Sequence, residues 1–341
     1  MPAQTDHHSR RTATPPRLKI VCPMYFDVES FCKLHDAIHV SLDGFVDTNR
    51  DASAGQGASA DRFPIGSIEF FLVDDSAGRD PSVESLDPLA DVTVIRPPFN
   101  LGHQRAIVYG LRSLKSTMNP DDVIVTMDAD GEDRPEDLPA MVTALLQQPH
   151  DLWRVCVAQR TRRRERLSFK ALYLGFRLIF RMLTGLEIRS GNFAAYRGLY
   201  ARQVLPHPSF DLCYSSSLVA LNPDVVKVPC PRGDRYAGES RMGTQKLLSH
   251  GVHMLMPFAD RIAIRSLAFF SLTAALVVAI LAMMAVSGVL GWFDMPAWAG
   301  WLLAASGFGS GLALVNFLVL FSGYAQTTAI SFQRIDPSAG T

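Results

Sequence analysis

Two long stretches near the C-terminus, residues 266–293 and 298–324, contain no charged residue, and they restrict the fold more than any other feature. A helix needs roughly 20 apolar residues to cross the hydrocarbon core of a bilayer. Because Asp294 and Pro296 form a short break between the stretches, the sequence predicts a hairpin of two membrane-spanning helices, at about 266–290 and 298–324. Two buried helices of a soluble protein remain the alternative.

The distribution of basic residues predicts how this hairpin is oriented. Arg261 and Arg265 precede the first stretch, Arg334 follows the second, and the turn between them has no basic residue. Basic residues are enriched in the cytoplasmic loops of membrane proteins. We therefore expect a multi-pass protein of the cytoplasmic (inner) membrane, with both ends of the chain in the cytoplasm.

The composition of the whole chain, with 48% hydrophobic residues, fits a globular domain beside the hairpin. The 33 basic and 33 acidic residues balance, which argues against a nucleic-acid partner, and the five cysteines include no Cys-x-x-Cys pair, which fits a reducing compartment. The sequence predicts a disordered arm at residues 1–16 and a cytoplasmic domain at 17–260, which contains a flexible insertion at 47–66. The membrane hairpin follows at 261–333 and a cytoplasmic tail at 334–341.

Short apolar runs alternate with helical segments in the globular part. The runs at 18–22, 68–73, 92–95 and 123–127 are typical of β-strands, and each is followed by a loop and an amphipathic segment. This alternation predicts an α/β fold with a mostly parallel sheet. Ligands of such sheets bind beyond the carboxyl ends of the strands.

The clearest chemical motif follows the fourth predicted strand. Asp128, Asp130 and Glu132 form an acidic turn there, and carboxylates leaving a strand end can meet at one point. Such oxygen ligands suit Mg²⁺ or Mn²⁺ bridging to a diphosphate. A solvated acidic turn that caps the helix predicted at 135–147 is the alternative.

A second acidic pair, Asp74 and Asp75, follows the second predicted strand. Paired carboxylates at a sheet edge repel each other unless a ligand or cation lies between them. We expect this pair to converge with Asp128 and Asp130 on a sister strand, although an Asx turn would explain the pair equally well.

Two basic segments accompany the acidic motifs. Arginines are concentrated at residues 160–166, beginning with Arg160, and a glycine-containing basic stretch covers 232–246. Arginine binds phosphate in a bidentate manner, and glycines let backbone amides approach an anion, but either segment could instead be a solvated face. The histidine pairs His35/His39 and His250/His253 have no third ligand nearby in sequence, so we do not expect a metal at either.

Five motifs together resemble the inverting family 2 glycosyltransferases of GT-A (Rossmann-like) fold, in particular the polyprenyl-phosphate type related to dolichol-phosphate mannose synthase. The motifs are Pro23-Met24-Tyr25, Asp74-Asp75-Ser76, Asn100-Leu101-Gly102, Asp128-Ala129-Asp130 and the segment from Arg235 to Arg241. The resemblance extends from about residue 18 to the second apolar stretch.

The resemblance implies a role for each matched residue. Pro23, Tyr25, Asp74, Asp75 and Gly102 would bind the nucleotide sugar. Asp128, Asp130 and Glu132 would hold Mg²⁺ or Mn²⁺, with Asp128, Asp130 and Arg160 as the catalytic residues. The diphosphate and the acceptor phosphate would be bound by Arg160, Arg235, Ser240, Arg241 and Lys246.

The implied function is transfer of a sugar from a nucleotide-sugar donor to a membrane lipid, polyprenyl phosphate, at the cytoplasmic face. One departure from the family pattern, Gly191-Asn192-Phe193-Ala194 in place of Asp-Phe-Arg, leaves the acceptor open. The alternatives are a non-catalytic, membrane-tethered module that binds nucleotide sugars or lipid and, third, a processive polysaccharide synthase. Monomer and homo-oligomer both remain open.

Overall fold

The computed structural model describes residues 15–46, 65–148, 151–161, 167–187, 190–222, 225–237, 244–291 and 296–335. Within them, seven strands form one mixed sheet in the order β3-β2-β1-β4-β6-β5-β7. The strands are β1 (Leu18–Met24), β2 (Ile68–Asp74), β3 (Val92–Ile95), β4 (Val123–Thr126), β5 (Val155–Arg160), β6 (Ser190–Arg197) and β7 (Val226–Cys230). Only β6 runs antiparallel to its neighbours, β4 and β5. The predicted α/β class and mostly parallel sheet are confirmed.

Helices cover both faces of this sheet. They are α1 (Val28–Ser41), α2 (His103–Ser113), α3 (Leu138–Leu146), α4 (Leu167–Thr184), α5 (Gly198–Val204), α6 (Tyr214–Leu221) and α7 (Thr244–Leu255), with short 3₁₀ turns at Pro81–Leu86, Pro135–Asp137, Pro208–Asp211 and Met256–Phe258. The helix predicted at 135–147 thus opens with a 3₁₀ turn. Helices α1 and α3 pack on one face, and α2, α5 and α6 pack on the other.

Helix α2 is held tightly against the sheet. Gly110 faces β1 and β2, and a Cβ atom there would lie 2.5 Å from Val73 Cγ2 and 3.1 Å from Val21 Cγ1. The buried guanidinium of Arg112 makes an ion pair of 2.7 Å with Asp211. These contacts fix the direction of α2, and therefore the position of its first residue, His103, at the carboxyl edge of the sheet.

Two long apolar helices follow the sheet domain, α8 (Ala259–Leu290) and α9 (Ala297–Ile335). Their most apolar windows have mean hydropathies of 2.5 and 1.5, and no residue of either window is buried. Because their apolar side chains are exposed rather than packed in a core, these helices are candidate membrane spans and not core helices of the domain. Both helices extend beyond the predicted spans, and α8 continues through residue 261 without a break.

The predicted insertion at 47–66 lies mostly outside the described residues, as do the arm up to residue 14 and the tail from 336. The ends that bracket the insertion lie side by side, because Val46 and Ile65 form an isolated parallel bridge.

Candidate functional site

The acidic turn lies at the carboxyl edge of the sheet, directly after β4, and is closed by its own carboxylates. Asp130 Oδ1 accepts a hydrogen bond of 3.0 Å from the backbone N–H of Glu132, and Asp133 Oδ2 accepts one of 3.1 Å from the N–H of Asp128. Gly131 completes the turn at φ +85°, a left-handed conformation that glycine adopts without steric cost. Asp130 and Asp133 are buried.

Three neighbouring elements bring polar groups to Asp128. His103, the first residue of α2, lies 3.0 Å from Asp128 Oδ1, and Asn192 of β6 donates to the same oxygen at 3.1 Å. His103 and Asn192 are themselves 2.7 Å apart. Burial favours the neutral acid, but His103 and Arg160 outweigh it and hold the pKa of Asp128 well below its usual range. Asp128 is therefore a carboxylate stabilised by His103, Asn192 and Arg160.

Arg160, the last residue of β5, supports the same turn. Its Nη2 atom lies 3.3 Å from Asp133 Oδ1 and 4.0 Å from Asp128 Oδ2. Gly191 of β6 leaves room for this guanidinium, since a Cβ atom there would lie 2.9 Å from Nη2. Arg160 is thus close to the acidic turn, while its contact with a phosphate remains a prediction.

The segment from Arg232 to Tyr236 is bound along the outer side of the turn. Gly233 and Tyr236 donate backbone hydrogen bonds of 2.9 Å to the carbonyl oxygens of Glu132 and Asp130. Arg235 Nη2 lies 2.6 Å from Asp130 Oδ2, and Arg232 makes an ion pair with Glu132. The start of the basic stretch therefore contacts the acidic turn directly.

Burial and neighbouring carboxylates oppose the ionisation of two acids in the turn. Burial, followed by the like charges of Asp128 and Glu132, raises the pKa of Asp130 to about 7. Burial and Asp128 raise the pKa of Asp133 to about 6. A buried group of hard oxygen donors that resist ionisation favours a bound cation, and the donor set fits Mg²⁺ or Mn²⁺.

The three predicted metal ligands do not converge on one point in the present arrangement. Asp130 and Glu132 are each paired with an arginine of the 232–236 segment. Within the described ranges, the three ligand atoms that lie within 4.8 Å of one another belong to His35, His39 and Asp91 instead. The acidic turn could hold a cation through Asp128, Asp130 and Glu132 once the arginines turn away.

Asp75 positions the loop before α2. Its carboxylate accepts hydrogen bonds from the backbone N–H groups of Leu101 and Gly102 at 2.6 and 3.0 Å, and from Asn100 Nδ2 at 3.2 Å. Burial raises the pKa of Asp75, although these backbone bonds act against the rise. Hydrogen bonds thus join the Asp74-Asp75-Ser76 and Asn100-Leu101-Gly102 motifs. Direct binding of a nucleotide by Asp75 or Gly102 remains a prediction.

Asp74 is fully buried at the end of β2. Its Oδ1 atom accepts a hydrogen bond of 3.0 Å from Ser76, whereas its Oδ2 atom has no partner within the described part of the chain. Asp74 and Asp75 lie at the same sheet edge as Asp128, but β1 lies between β2 and β4. Next-nearest strands are separated by roughly 10 Å, so the two acidic pairs share an edge without forming one cluster.

Strand β1 brings Pro23 and Tyr25 to this edge, between the acidic pairs. Pro23 is buried within the strand, and Tyr25, just after it, is 38% exposed with its ring edge-on to Phe26. An exposed aromatic ring at a ligand-binding edge suits stacking on a base.

Other predicted residues lie outside the described chain. Ser240, Arg241 and residues 162–166 are among them, and for Lys246 only the backbone, within α7, is described.

His103 and Asn192 are site residues that the sequence did not reveal. The signal for His103 was its place directly after the Asn100-Leu101-Gly102 motif. In the sequence, Asn192 is only a departure from a family pattern, yet in the structure it contacts Asp128, His103 and Gln104, the last at 2.6 Å. The departure therefore supplies the acidic turn with a neutral amide.

Comparisons with known proteins support a family resemblance over part of the chain. Two solved structures show a weak similarity to the chain. One is a 4-diphosphocytidyl-2C-methyl-D-erythritol synthase, 9% identical with a TM-score of 0.35, where the match covers 72% of this chain and 100% of that one. The other is the 2-C-methyl-D-erythritol 4-phosphate cytidylyltransferase of Francisella tularensis, 12% identical with a TM-score of 0.28, where the match covers 70% of this chain and 99% of that one. Likenesses of this strength carry no functional argument.

No curated protein matches the chain. The model of glycosyl transferase family 2 matches residues 58–205, so over this range, which includes the acidic turn, Arg160 and Asn192, the chain is similar to the family 2 glycosyltransferases.

Proposed function

We propose that the chain is an inverting glycosyltransferase that moves a sugar from a nucleotide-sugar donor to polyprenyl phosphate at the cytoplasmic face of the membrane. The family match over residues 58–205 supports nucleotide-sugar transfer. The observation that carries the proposal is the buried acidic turn at the carboxyl edge of a mostly parallel sheet, flanked by Arg160 and Arg235. Carboxylates and arginines side by side suit a cation-bound diphosphate.

The donor would lie along the sheet edge from β2 to β5. Tyr25 offers an aromatic surface to the base, and the loop that Asp75 holds in place lines the path toward the turn. The diphosphate would then face Asp128 and Asp130. When bound there, Mg²⁺ or Mn²⁺ supplies charge neutralisation for the departing nucleoside diphosphate.

Arginines of the site would serve the phosphates. Arg235 and Arg232 now contact Asp130 and Glu132, and each guanidinium needs only to turn from a carboxylate toward a phosphate oxygen. The acceptor phosphate is already anionic, so its oxygen can attack the anomeric carbon without a strong general base, on the side opposite the leaving group. His103 and Asn192 hold Asp128 in one orientation during this step.

The membrane-facing features support a lipid acceptor. Leu174, Leu178 and Met182 of α4 expose apolar side chains, and α4 packs near the start of α8, where Arg265 Nε donates a 3.1 Å hydrogen bond to the carbonyl of Met182. An exposed apolar helix face at the base of a candidate span is suited to the bilayer interface. A lipid-linked phosphate there would lie within reach of the domain.

Incubating membranes that contain the chain with polyprenyl phosphate and a panel of radiolabelled nucleotide sugars tests the function. We expect one donor to yield an organic-soluble, labelled lipid that requires added Mg²⁺ or Mn²⁺ and is lost in Asp130→Asn. Binding of a donor without turnover under all these conditions would refute catalysis and leave a binding module.

We also propose that both termini lie in the cytoplasm. The basic residues Arg261 and Arg265 before the first candidate span, and Arg334 after the second, support this orientation. Reporter domains placed at the N-terminal arm and after Thr341 should both be cytoplasmic, and a tag beside Asp294 should be extracytoplasmic. Termini on opposite sides would refute the hairpin.

A further inference from the structure

We propose a second metal site, for Zn²⁺, formed by His35, His39 and Asp91 at the end of the sheet opposite the acidic turn. Helix α1 carries both histidines and runs away from the carboxyl edge, and Asp91 immediately precedes β3. The site is therefore separate from the candidate catalytic cation, and it does not rest on the proposed function.

The two histidines converge because they are one helical turn apart. Residues at i and i+4 share a helix face, and the two imidazole rings lie edge-on with their centroids 4.7 Å apart. Both rings also pack against Phe70 of β2, at 4.7 and 5.6 Å. Their packing orients the Nε2 atoms of both rings toward the same point.

Asp91 provides the third ligand that the sequence alone did not reveal. Its Oδ2 atom lies 3.1 Å from His35 Nε2 and 2.8 Å from His39 Nε2, and the three ligand atoms lie within 4.8 Å of one another. Donor atoms at roughly 2.0–2.2 Å from one tetrahedral zinc ion would be roughly 3.3–3.6 Å apart. Small movements would thus convert this hydrogen-bonded group into a metal shell.

The surroundings also suit a metal ligand set. Asp36 Oδ1 lies 3.4 Å from Nδ1 of His35, and metal-bound histidines commonly place a carboxylate at their second ring nitrogen. His35 is buried, whereas the His39 side chain is 43% exposed, which leaves solvent access and room for a water as fourth ligand.

The donor chemistry selects the metal class. Two imidazole nitrogens and one carboxylate oxygen favour Zn²⁺ over Mg²⁺ or Ca²⁺, which prefer shells made of oxygen. Because β3 is an edge strand, a zinc ion here would tie α1 to the start of that edge and stabilise it against separation.

Zinc titration of the chelator-treated, detergent-solubilised full chain tests the proposal. Calorimetry in millimolar Mg²⁺, which competes with Zn²⁺ for the oxygen ligands of the acidic turn, should show one Zn²⁺ per chain. His39→Gln removes the ligand nitrogen yet keeps an amide that can donate to Asp91. Loss of outer-shell partners alone weakens metal binding roughly 10–100-fold, so loss of this ligand should weaken it at least ~100-fold.

Two controls localise the effect. His253→Gln, which removes a histidine from α7, and Asp130→Asn, which alters the acidic turn, should both keep zinc binding. Zinc should also raise the Tm of the unaltered chain and of these controls, but not that of His39→Gln. If His39→Gln folds poorly, Asp91→Asn replaces it and should also lose zinc.

Undiminished zinc affinity in His39→Gln or Asp91→Asn would overturn the proposal. Absence of zinc binding in the unaltered chain would overturn it as well, and would leave the three residues as a hydrogen-bonded group only.

Discussion

Substitution of Gly131 by alanine should impair the site without removing any of its charged groups. Gly131 is in the left-handed region at φ +85°, and the Tyr236 ring packs directly on it. A Cβ atom at residue 131 would lie 2.5 Å from Tyr236 Cε2 and 2.8 Å from Cγ. Carbon atoms in contact are normally about 3.5–4.0 Å apart, so the ring must move by roughly 1 Å.

The cost has two parts. The left-handed conformation costs a non-glycine residue roughly 1–2 kcal/mol, and overpacking typically adds about 1–3 kcal/mol. The displaced ring would also pull the Tyr236 N–H away from the Asp130 carbonyl, now at 2.9 Å, and carry Arg235 away from Asp130. Since a misplacement of ~1 Å in a catalytic arrangement can cost about 100-fold, we expect kcat/KM to fall roughly 10–100-fold.

Gly78 provides a matched control. Its φ is +75°, and a Cβ atom there would meet no atom within 4 Å, so Gly78→Ala carries the conformational cost without the clash. Thermal melts and donor turnover separate the cost of the left-handed conformation from the cost of the clash. They would be measured for Gly131→Ala, Gly78→Ala, Tyr236→Ala and the double variant Gly131→Ala/Tyr236→Ala. We expect Tyr236→Ala to relieve much of the extra defect of Gly131→Ala. Equal stability and turnover in Gly131→Ala and Gly78→Ala would refute the reasoning.

Three further variants test individual residues. Asp130→Asn removes a predicted cation ligand worth several kcal/mol in the transition state. Turnover should therefore fall more than about 100-fold, while the Tm stays unchanged. Near-normal turnover after metal is restored would contradict the assignment. His103→Ala removes a charge-assisted hydrogen bond to Asp128, worth about 1.5–3 kcal/mol, and should lower kcat/KM roughly tenfold or more at saturating cation; an unchanged value would make His103 a bystander. Arg241→Ala should raise the acceptor KM roughly tenfold and leave donor affinity intact, because it removes a predicted contact with the acceptor phosphate. Loss of an exposed arginine without such a contact would cost only about 0–1 kcal/mol. An unaltered acceptor KM would reduce the segment from Arg235 to Lys246 to a linker.

The sheet strands with strong local signals were predictable from sequence. The four strands β1 to β4 lie where the apolar runs place them, and the acidic turn follows β4 as expected. These elements are local, because each combines a short β-branched run with polar residues at its end. The apolar stretches of α8 and α9 were predictable for the same reason, since length and absence of charge are read directly.

Strand β6 was not predictable in this way. Its Ser190-Gly191-Asn192 start has poor strand propensity, and it is held by antiparallel pairing with β4 and β5 on either side. Its position explains why Asn192 reaches Asp128, which is 64 residues away along the chain.

The His35, His39 and Asp91 group was also hidden from sequence reasoning. Asp91 is 56 residues from His35 and 52 from His39, so no spacing rule links them. The sequence shows no third ligand near the histidine pair because the partner comes from the β2–β3 connection, which folds back beside α1.

The arginine partners of the acidic turn have a thermodynamic consequence. In the proposed enzyme, a cation that approaches Asp130 and Glu132 would have to displace Arg235 and Arg232 from these carboxylates. The oxygens of a nucleoside diphosphate that arrives with the cation would receive the displaced guanidinium groups. Each ligand would then strengthen the binding of the other, and linkage requires the factor to be the same in both directions. The cation and the donor would therefore assemble such a site together.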